Sequence, residues 1–480
     1  MLSNLSAATW FVDTVRGDDE KKGDSPERAF RTIQKALSLC TGLEADDIRV
    51  LPSPFPVRET IAVSKKNYRP EAPLVIDGGG NWFVGSEPIP ADEWKPHESL
   101  KDTLVVPHFA SRFPISFFVV NGRPVRMGRG RIFPNRPLPA PEALLPDEWT
   151  LAGSDLVLRI LPGYDIREYQ VERAFREAGI QFYGSSSRNV IVSNARIKFV
   201  TNDGVNLHCK KDPNDYSRDI SFLNVDACWN WDEGISAHDL FEYTLSNSLM
   251  IGNNCGIVNI ESAKGVHKDL ILAESPDFDL FFYTVPGFQD GSNVFANSFI
   301  QFSKSWRHLY WRNQGMTPST LVFDNTVLIH PKSSGTNFNF AVGGMRTLIH
   351  KTTIWDESER PFASSAFAGS NVLEISDSLF SFKNPARLFQ FSNPDAVFKS
   401  KNNAFSKTEL SFGGRDFSSK NEAAFRSWSG DSESSFQEVG FQWDPEHTSA
   451  EGRGADLSPA MKEKLKNYLD GALLGKGFAL

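Results

Sequence analysis

Two stretches of this chain, DGVNLHC (203–209) and EGISAHD (233–239), carry an acid, a glycine, an apolar–polar alternation and a histidine in the same order. If they are strands on neighbouring layers, Asp203 lies beside Glu233, Asn206 beside Ser236 and His208 beside His238. With Val205, Leu207, Ile235 and Ala237 turned inward, strand alternation sends both histidines outward. The same outward column continues to Ile260, Tyr283 and Arg312, with Asp232, Lys210, Glu261, Lys264, Arg307 and Tyr310 close in register. Such a set supports two chemistries. In β-elimination from a uronate, Arg312 with Lys210 or Lys264 neutralises the carboxylate. His208 or His238 then takes the C5 proton, and Tyr283 or Tyr310 protonates the departing oxygen. In glycoside hydrolysis two carboxylates flank the bond, and Asp203 and Glu233, one layer apart, come near the spacing of about 5–5.5 Å used for retention.

The same residues have plainer uses. Acids beside glycine at a strand start are ordinary turn residues. Tyr283 sits in the run LFFYTV, which suits packing. Trp229, Trp231, Trp306 and Trp311 suit stacking on sugar rings or plugging the space beneath loops. Calcium is an option at Asp232, Glu233, Asp239 or the Asp277/Asp279 pair, because hard oxygen ligands suit it, but neither chemistry requires a cofactor. The four cysteines, Cys40, Cys209, Cys228 and Cys255, read as buried free thiols.

What must position these residues is a repeat. NVIVSNARIKF (189–199), DISFLNVDAC (219–228), YTLSNSLMIG (243–252) and six further copies to AVFKSKNNAFS (396–406) each hold two short apolar runs around a polar residue. Asn194, Asn224, Asn247, Lys268, Asn297, Asn325, Lys351, Asp377 and Asn402 share one register. A period of roughly 26 residues signals a solenoid. Each unit is too short for a strand–helix–strand unit and lacks the ten or so residues of 3.6-period pattern a helix needs. Nor does it match the period of about 40–50 residues expected of propeller blades. Asn suits the bend between strands because it tolerates positive φ and can bond its neighbours in a ladder.

This pattern resembles the right-handed parallel β-helix (pectate-lyase-like) superfamily of carbohydrate-active proteins over most of the chain. The expected fold is therefore all-β, a single-stranded right-handed parallel β-helix with an N-terminal capping helix and an inserted β-rich segment. TWFVDTVRGDDEKKGDSPERAFRTIQKALSLC (9–40) is similar to the opening of many such proteins. Ser25 is the expected N-cap, with Phe30, Ile33, Leu37 and Cys40 on one helical face. The chain divides into 1–84 (strand, cap helix, first coils), 85–170 (a Pro-rich and hairpin insertion), 171–406 (main β-helix) and 407–480 (a tail with a short helix). The resemblance implies an enzyme on an extended acidic polysaccharide, with a lyase narrowly ahead of a hydrolase, or a non-catalytic glycan-binding adhesin. The paired acids Asp232 and Glu233 are similar to those of β-helix polygalacturonases, although the Gly-His-Gly and Arg-x-Lys segments are missing. Catalysis would then fall to His208, His238, Asp203, Asp232, Glu233, Arg312 and Tyr283. Substrate contacts would fall to Lys210, Lys264, Arg307, Tyr310, Trp229, Trp231 and Asn206.

Across 480 residues the net charge is −8, which argues against nucleic acid as a general partner. No run of about 18 apolar residues is present to insert in a membrane. MLSNLSAATWF lacks the pattern of a signal peptide, so the expectation is export, as suits a polysaccharide substrate, with a leader removed ahead of this sequence, or else a protein that stays in the cytoplasm. Oligomeric state is not legible.

Overall fold

The computed structural model describes residues 8–42, 44–127, 138–285, 291–302, 307–313, 319–331, 339–343, 346–357, 363–365, 372–391, 396–412, 415–450 and 452–471. The chain winds as one right-handed parallel β-solenoid, because each polar bend turns the strand and each apolar run pairs in parallel with the run one coil earlier. One column of strands runs Ile61–Val63, Ile180–Phe182, Val205–Leu207, Glu233–Ala237, Cys255–Ile260, Phe278–Thr284 and Arg307–Asn313. A second column contains Glu242–Ser246, Lys264–Lys268 and Asn293–Ala296. A third contains Leu249–Ile251, Ile271–Ala273 and Phe299–Gln301. Val190, Val192, Ile197, Val205 and Leu207 point into the core and are 0% exposed.

The bends behave as the Asn register predicts, with one correction. Asn194, Asn224, Asn247, Asn297, Asn325, Lys351, Asp377 and Asn402 all have positive φ. On the coil between Asn247 and Asn297, however, the left-handed residue is Asp269 rather than Lys268, which still belongs to the strand. Asp accepts from a neighbouring Asn side chain as Lys cannot, and Asn297 Nδ2 donates to Asp269 Oδ1. The ladder elsewhere runs from Asn224 Nδ2 to Asn194 Oδ1 (2.9 Å) and from Asn325 Nδ2 to Asn297 Oδ1 (3.1 Å).

The N-terminal cap differs from the single Ser25-capped helix expected. A short 3-10 turn, Pro26–Arg28, comes first, and Ser25 makes no side-chain cap. The α-helix is Ile33–Leu39, capped by the Thr32 side chain accepting from the Lys35 N–H. Phe30 bridges Val12 instead of lying on a helix. Asp19 accepts from the Arg31 and Thr32 N–H groups, which bends the chain between the two pieces.

The insertion folds into two antiparallel sheets, one of them built on the Trp149–Ala152/Asp155–Arg159 hairpin. Trp94, Phe109, Phe118 and Trp149 form its own core. At the far end, Phe425 on the helix Glu422–Ser429 closes the coil against Phe405, Phe417 and Phe436. From there the chain doubles back along the outside of the solenoid. Arg453 Nε donates to Asn402 Oδ1 (3.1 Å), Asp456 N–H to Asn325 Oδ1 (2.6 Å) and Ser458 N–H to Asn297 Oδ1 (2.9 Å). Lys464 Nζ donates to Asn247 Oδ1 (3.0 Å). The strap thus tracks the Asn bends coil by coil, ending in the helix Pro459–Leu469. Among the described residues no helix is long and apolar enough to cross a membrane.

Two predictions arise here. Asn297 makes four hydrogen bonds to three partners at a left-handed position (φ 48°): one with Asp269, two with Ser458 and one with Asn325. Asn297→Ala should cost ~2–3 kcal/mol in urea unfolding, and Asn297→Gly less, because glycine removes the backbone strain but not the lost bonds.

The second concerns His267, which is 0% exposed inside the coil and stacked on Phe295 at 4.5 Å. Its Nδ1 lies 3.1 Å from the Val294 carbonyl and its Nε2 3.0 Å from the Tyr243 hydroxyl. Burial pushes its pKa down to about 3, only partly offset by the Val294 carbonyl. The unfolded chain therefore binds a proton that the folded chain refuses. Stability from this group is complete above pH ~6.5 and is lost as pH falls toward 3. Urea midpoints should drop between pH 6.5 and 4.5, and His267→Gln should flatten that slope.

Candidate functional site

The strands of the first column are held by their preceding turns. Asn230 and Asn253, both 0% exposed, stack on successive coils, with Asn230 Nδ2 donating to Asn253 Oδ1 at 3.0 Å. They fit because Gly204 lies against Asn230 and Gly234 against Asn253, each from the coil before: a Cβ on Gly234 would stand 2.8 Å from Asn253 Nδ2 and 2.7 Å from the Gly256 carbonyl. These turns deliver Asp203, Asp232, Glu233 and Cys255 to one place.

Asp203 (3% exposed) and Asp232 (2%) are buried, while Glu233 keeps partial exposure. Asp203 Oδ1 accepts from the Glu233 N–H at 3.3 Å. Burial pushes the Asp203 pKa up to about 6 and the charge of Asp232 adds to it, while a hydrogen bond with Glu233 works in the opposite direction. A donor atom from each of Asp232, Glu233 and Cys255 lies within 4.8 Å of the other two, so the cluster could hold a metal ion. A thiol among the donors does not suit calcium, which takes oxygen ligands.

One basic group at this cluster was not legible in the sequence. Arg126 comes from the insertion and donates to the Asn230 carbonyl and, at 3.4 Å, to the Gly252 carbonyl. Burial lowers its pKa to about 10, opposed chiefly by the charge of Asp232 beside it. Phe117 of the insertion stacks on Trp231 at 5.5 Å and 4°, and the Arg126 guanidinium lies 5.8 Å from the same ring. Trp229 (9% exposed) is therefore packed beneath the insertion, and the partly exposed Trp231 rests one face on its Phe117. Trp311 is in the core at 2%, and Trp306 lies outside the described residues.

The histidines form a second group at the other end of the same strands. Their rings stack at 4.4 Å and 11°. His208 Nδ1 is 3.5 Å from Asp239 Oδ2, and Ser236 Oγ is 3.1 Å from His238 Nε2. Burial, then the neighbouring His208, lowers the His238 pKa to about 4. Burial disfavours the Asp239 carboxylate, but hydrogen bonds from His208 and the Cys209 N–H outweigh it and hold the group below its usual range. Lys211 closes this group, 2.6 Å from Glu261 and 3.6 Å from Asp239. Neither Lys211 nor the Asp239–Glu261 pairing was singled out from sequence, because the turn linking them varies in length from coil to coil.

The outward column does not converge. Backbone register runs from Ala237 to Asn259, so His238 neighbours Ile260, and Ile260 pairs with Tyr283 and Tyr283 with Arg312. Tyr283 is thus two coils from His238, roughly 10 Å, and Arg312 three coils, roughly 14 Å. The side chains of Arg307 and Arg312 lie outside the described residues. Tyr310 stacks on Phe281 at 4.9 Å in the column of Asn206, Ser236 and Val258. Asn206 is 8% exposed, and its Oδ1 has no hydrogen-bond partner among the described residues. Lys210 pairs with Asp215 at 3.2 Å. Lys264 is not beside the histidines at all. The turn after Ile260 carries it to the second column, where it pairs with Glu242 at 3.0 Å.

Fold and site together define a right-handed parallel β-helix whose buried acid cluster is covered by an insertion. No protein-family model matches the chain, and no curated protein matches it in sequence. Among solved structures, one described as a glycoside hydrolase superposes with a TM-score of 0.59 at 10% identity, covering 83% of this chain and 96% of that one. A second, the complex of XylC with xylose, has a TM-score of 0.49 at 12% identity and covers 84% of each chain. At this identity the first likeness establishes the shared fold.

Proposed function

We propose that this chain is a glycoside hydrolase acting on a polysaccharide laid against the first strand column, with Asp203 as proton donor and Glu233 as the carboxylate that attacks. The observation that carries this reading is the pair of carboxyl groups on adjacent coils, linked by the 3.3 Å bond from the Glu233 N–H to Asp203 Oδ1. A buried acid that keeps its proton to about pH 6 suits protonation of a leaving oxygen, and the partly exposed Glu233 can face the sugar ring. The charge of Asp232 adds to the push that keeps Asp203 protonated. Adjacent coils about 4.8 Å apart bring the two residues nearer the spacing used for retention than that used for inversion. The solved glycoside hydrolase on the same fold is in keeping with this reading.

Elimination has less support. Lys210 is engaged with Asp215, Lys264 lies on another column, and Tyr283 stands two coils from His238. The test is incubation of the full chain with a panel of neutral and acidic glycans. New reducing ends of retained anomeric configuration, without ultraviolet absorbance from an unsaturated uronate, are expected. That absorbance would instead establish a lyase, and binding with neither signal an adhesin. His238→Ala separates the chemistries further: turnover should stay within about threefold for the hydrolase and collapse for a lyase that uses His238 as base.

A further inference from the structure

We propose that Asp232, Glu233 and Cys255, with the Asn254 amide beside them, bind a thiophilic divalent cation of the Zn2+ class. One carboxylate oxygen from each acid and the Cys255 sulfur already lie within 4.8 Å of one another. Thiolate and carboxylate donors together suit zinc, with ligand distances of about 2.0–2.3 Å, so a small inward movement of the side chains closes the set. Sulfur among the donors selects against calcium and magnesium.

An observation independent of the acids points the same way. Asn254 is 2% exposed, its side-chain oxygen has no hydrogen-bond partner among the described residues, and its amide nitrogen stands 3.9 Å from Cys255 Sγ. A buried amide oxygen left unpaired costs about 1–3 kcal/mol, and a half-turn of the amide, which exchanges its nitrogen for its oxygen, would place that oxygen beside the sulfur as a fourth ligand. The charge balance permits a cation. Asp203, Asp232, Glu233 and Asp277 gather here, the last 3.6 Å from the thiol, with the Arg126 guanidinium beside them. On binding, the Cys255 S–H bond breaks, its proton passes to solvent and the sulfur lone pair forms the metal bond. Partly exposed Glu233 leaves the side open through which the ion would enter. Because the ion would engage Glu233, its occupancy would switch the proposed hydrolase off. That consequence rests on the hydrolase reading, whereas the binding site does not.

The experiment uses the full chain stripped with a chelator, with Cd2+ as the probe. A thiolate-to-metal charge-transfer band should rise to saturation at one equivalent and be displaced by Zn2+ but not by a hundredfold excess of Ca2+. Cys255→Ser should abolish the band, whereas Cys209→Ser and Cys228→Ser should keep it. Glu233→Gln, which leaves every thiol intact, should weaken binding at least tenfold and decides the matter even if Cys255→Ser fails to fold. A band that never saturates, survives in Cys255→Ser or is unchanged in Glu233→Gln overturns the site. None of these readouts needs turnover, so a chain that binds Cd2+ as described yet cleaves no glycan would refute the hydrolase and leave the site standing.

Discussion

Asp203→Asn should lower kcat about 10²–10⁴-fold on a substrate whose leaving group needs protonation, and Glu233→Gln by at least as much. Asp203 is the sharper probe because the two consequences of its burial separate. In the wild-type protein, activity should decline as pH rises through about 6, where Asp203 gives up its proton. Asp203→Asn should lose that limb along with the turnover.

Stability should move the other way. The folded pKa of about 6 lies above the usual 3.8, so the stability this group contributes is complete below pH ~3.8 and is lost as pH rises through about 6. Above that, the folded protein holds a buried carboxylate next to Asp232. Asn is neutral at every pH, so Asp203→Asn should melt higher than wild type at pH 7.5 and about equally at pH 4. The gain could reach a few kcal/mol, less whatever the Glu233 N–H loses. A variant both inactive and less stable at pH 7.5 would mark Asp203 as a structural turn residue.

Removal of residues 452–480 should destabilise the solenoid by several kcal/mol and lower its melting temperature accordingly. Ala455, Leu457, Met461, Leu465 and Tyr468 of the strap lie over Cys228, Leu249, Ile251, Ile271, Phe299 and Val327 on the outer face of the third column. Fully burying a large apolar side chain is worth about 1.5–3 kcal/mol. Cutting the strap exposes both faces and also removes the strap's donors from the oxygens of Asn247, Asn297 and Asn325. The milder Leu465→Ala, at a 0% exposed position, should cost about 2–5 kcal/mol. Urea unfolding of both proteins checks this. A truncated chain as stable as the whole would mean the bends satisfy themselves with water.

Much of the architecture was legible because it is periodic. The Asn bends, the inward Val and Leu rows and the pairing of Asn206 with Ser236 follow from lining up repeats. Lys268 misled because its coil carries no Asn to mark the bend; the backbone pairs Ser246 with Lys268, which sets Asp269 opposite Asn247 at the left-handed turn. The first helix misled for a related reason: Ser25-Pro26 carries a strong start signal, but Asp19 reaches across from an earlier loop and splits the element. The strap was read only as a tail helix, since nothing in PAMKEKLKNYL states which surface its apolar side meets.

At the candidate site the division is sharper. That Asp203 and Glu233 stand on neighbouring coils, with the two histidines beyond them, can be worked out from DGVNLHC and EGISAHD alone, because parallel pairing converts sequence register into spatial register. Which residues close over the acids cannot. Arg126 and Phe117 reach them from an insertion with no repeat to align, whereas Cys255 is the register partner of Glu233 on the next coil of the same column. Contacts within a column obey one-dimensional order. Contacts between the column and its coverings depend on packing in all three dimensions, and that packing sets how far Asp203 is buried and therefore when it holds its proton.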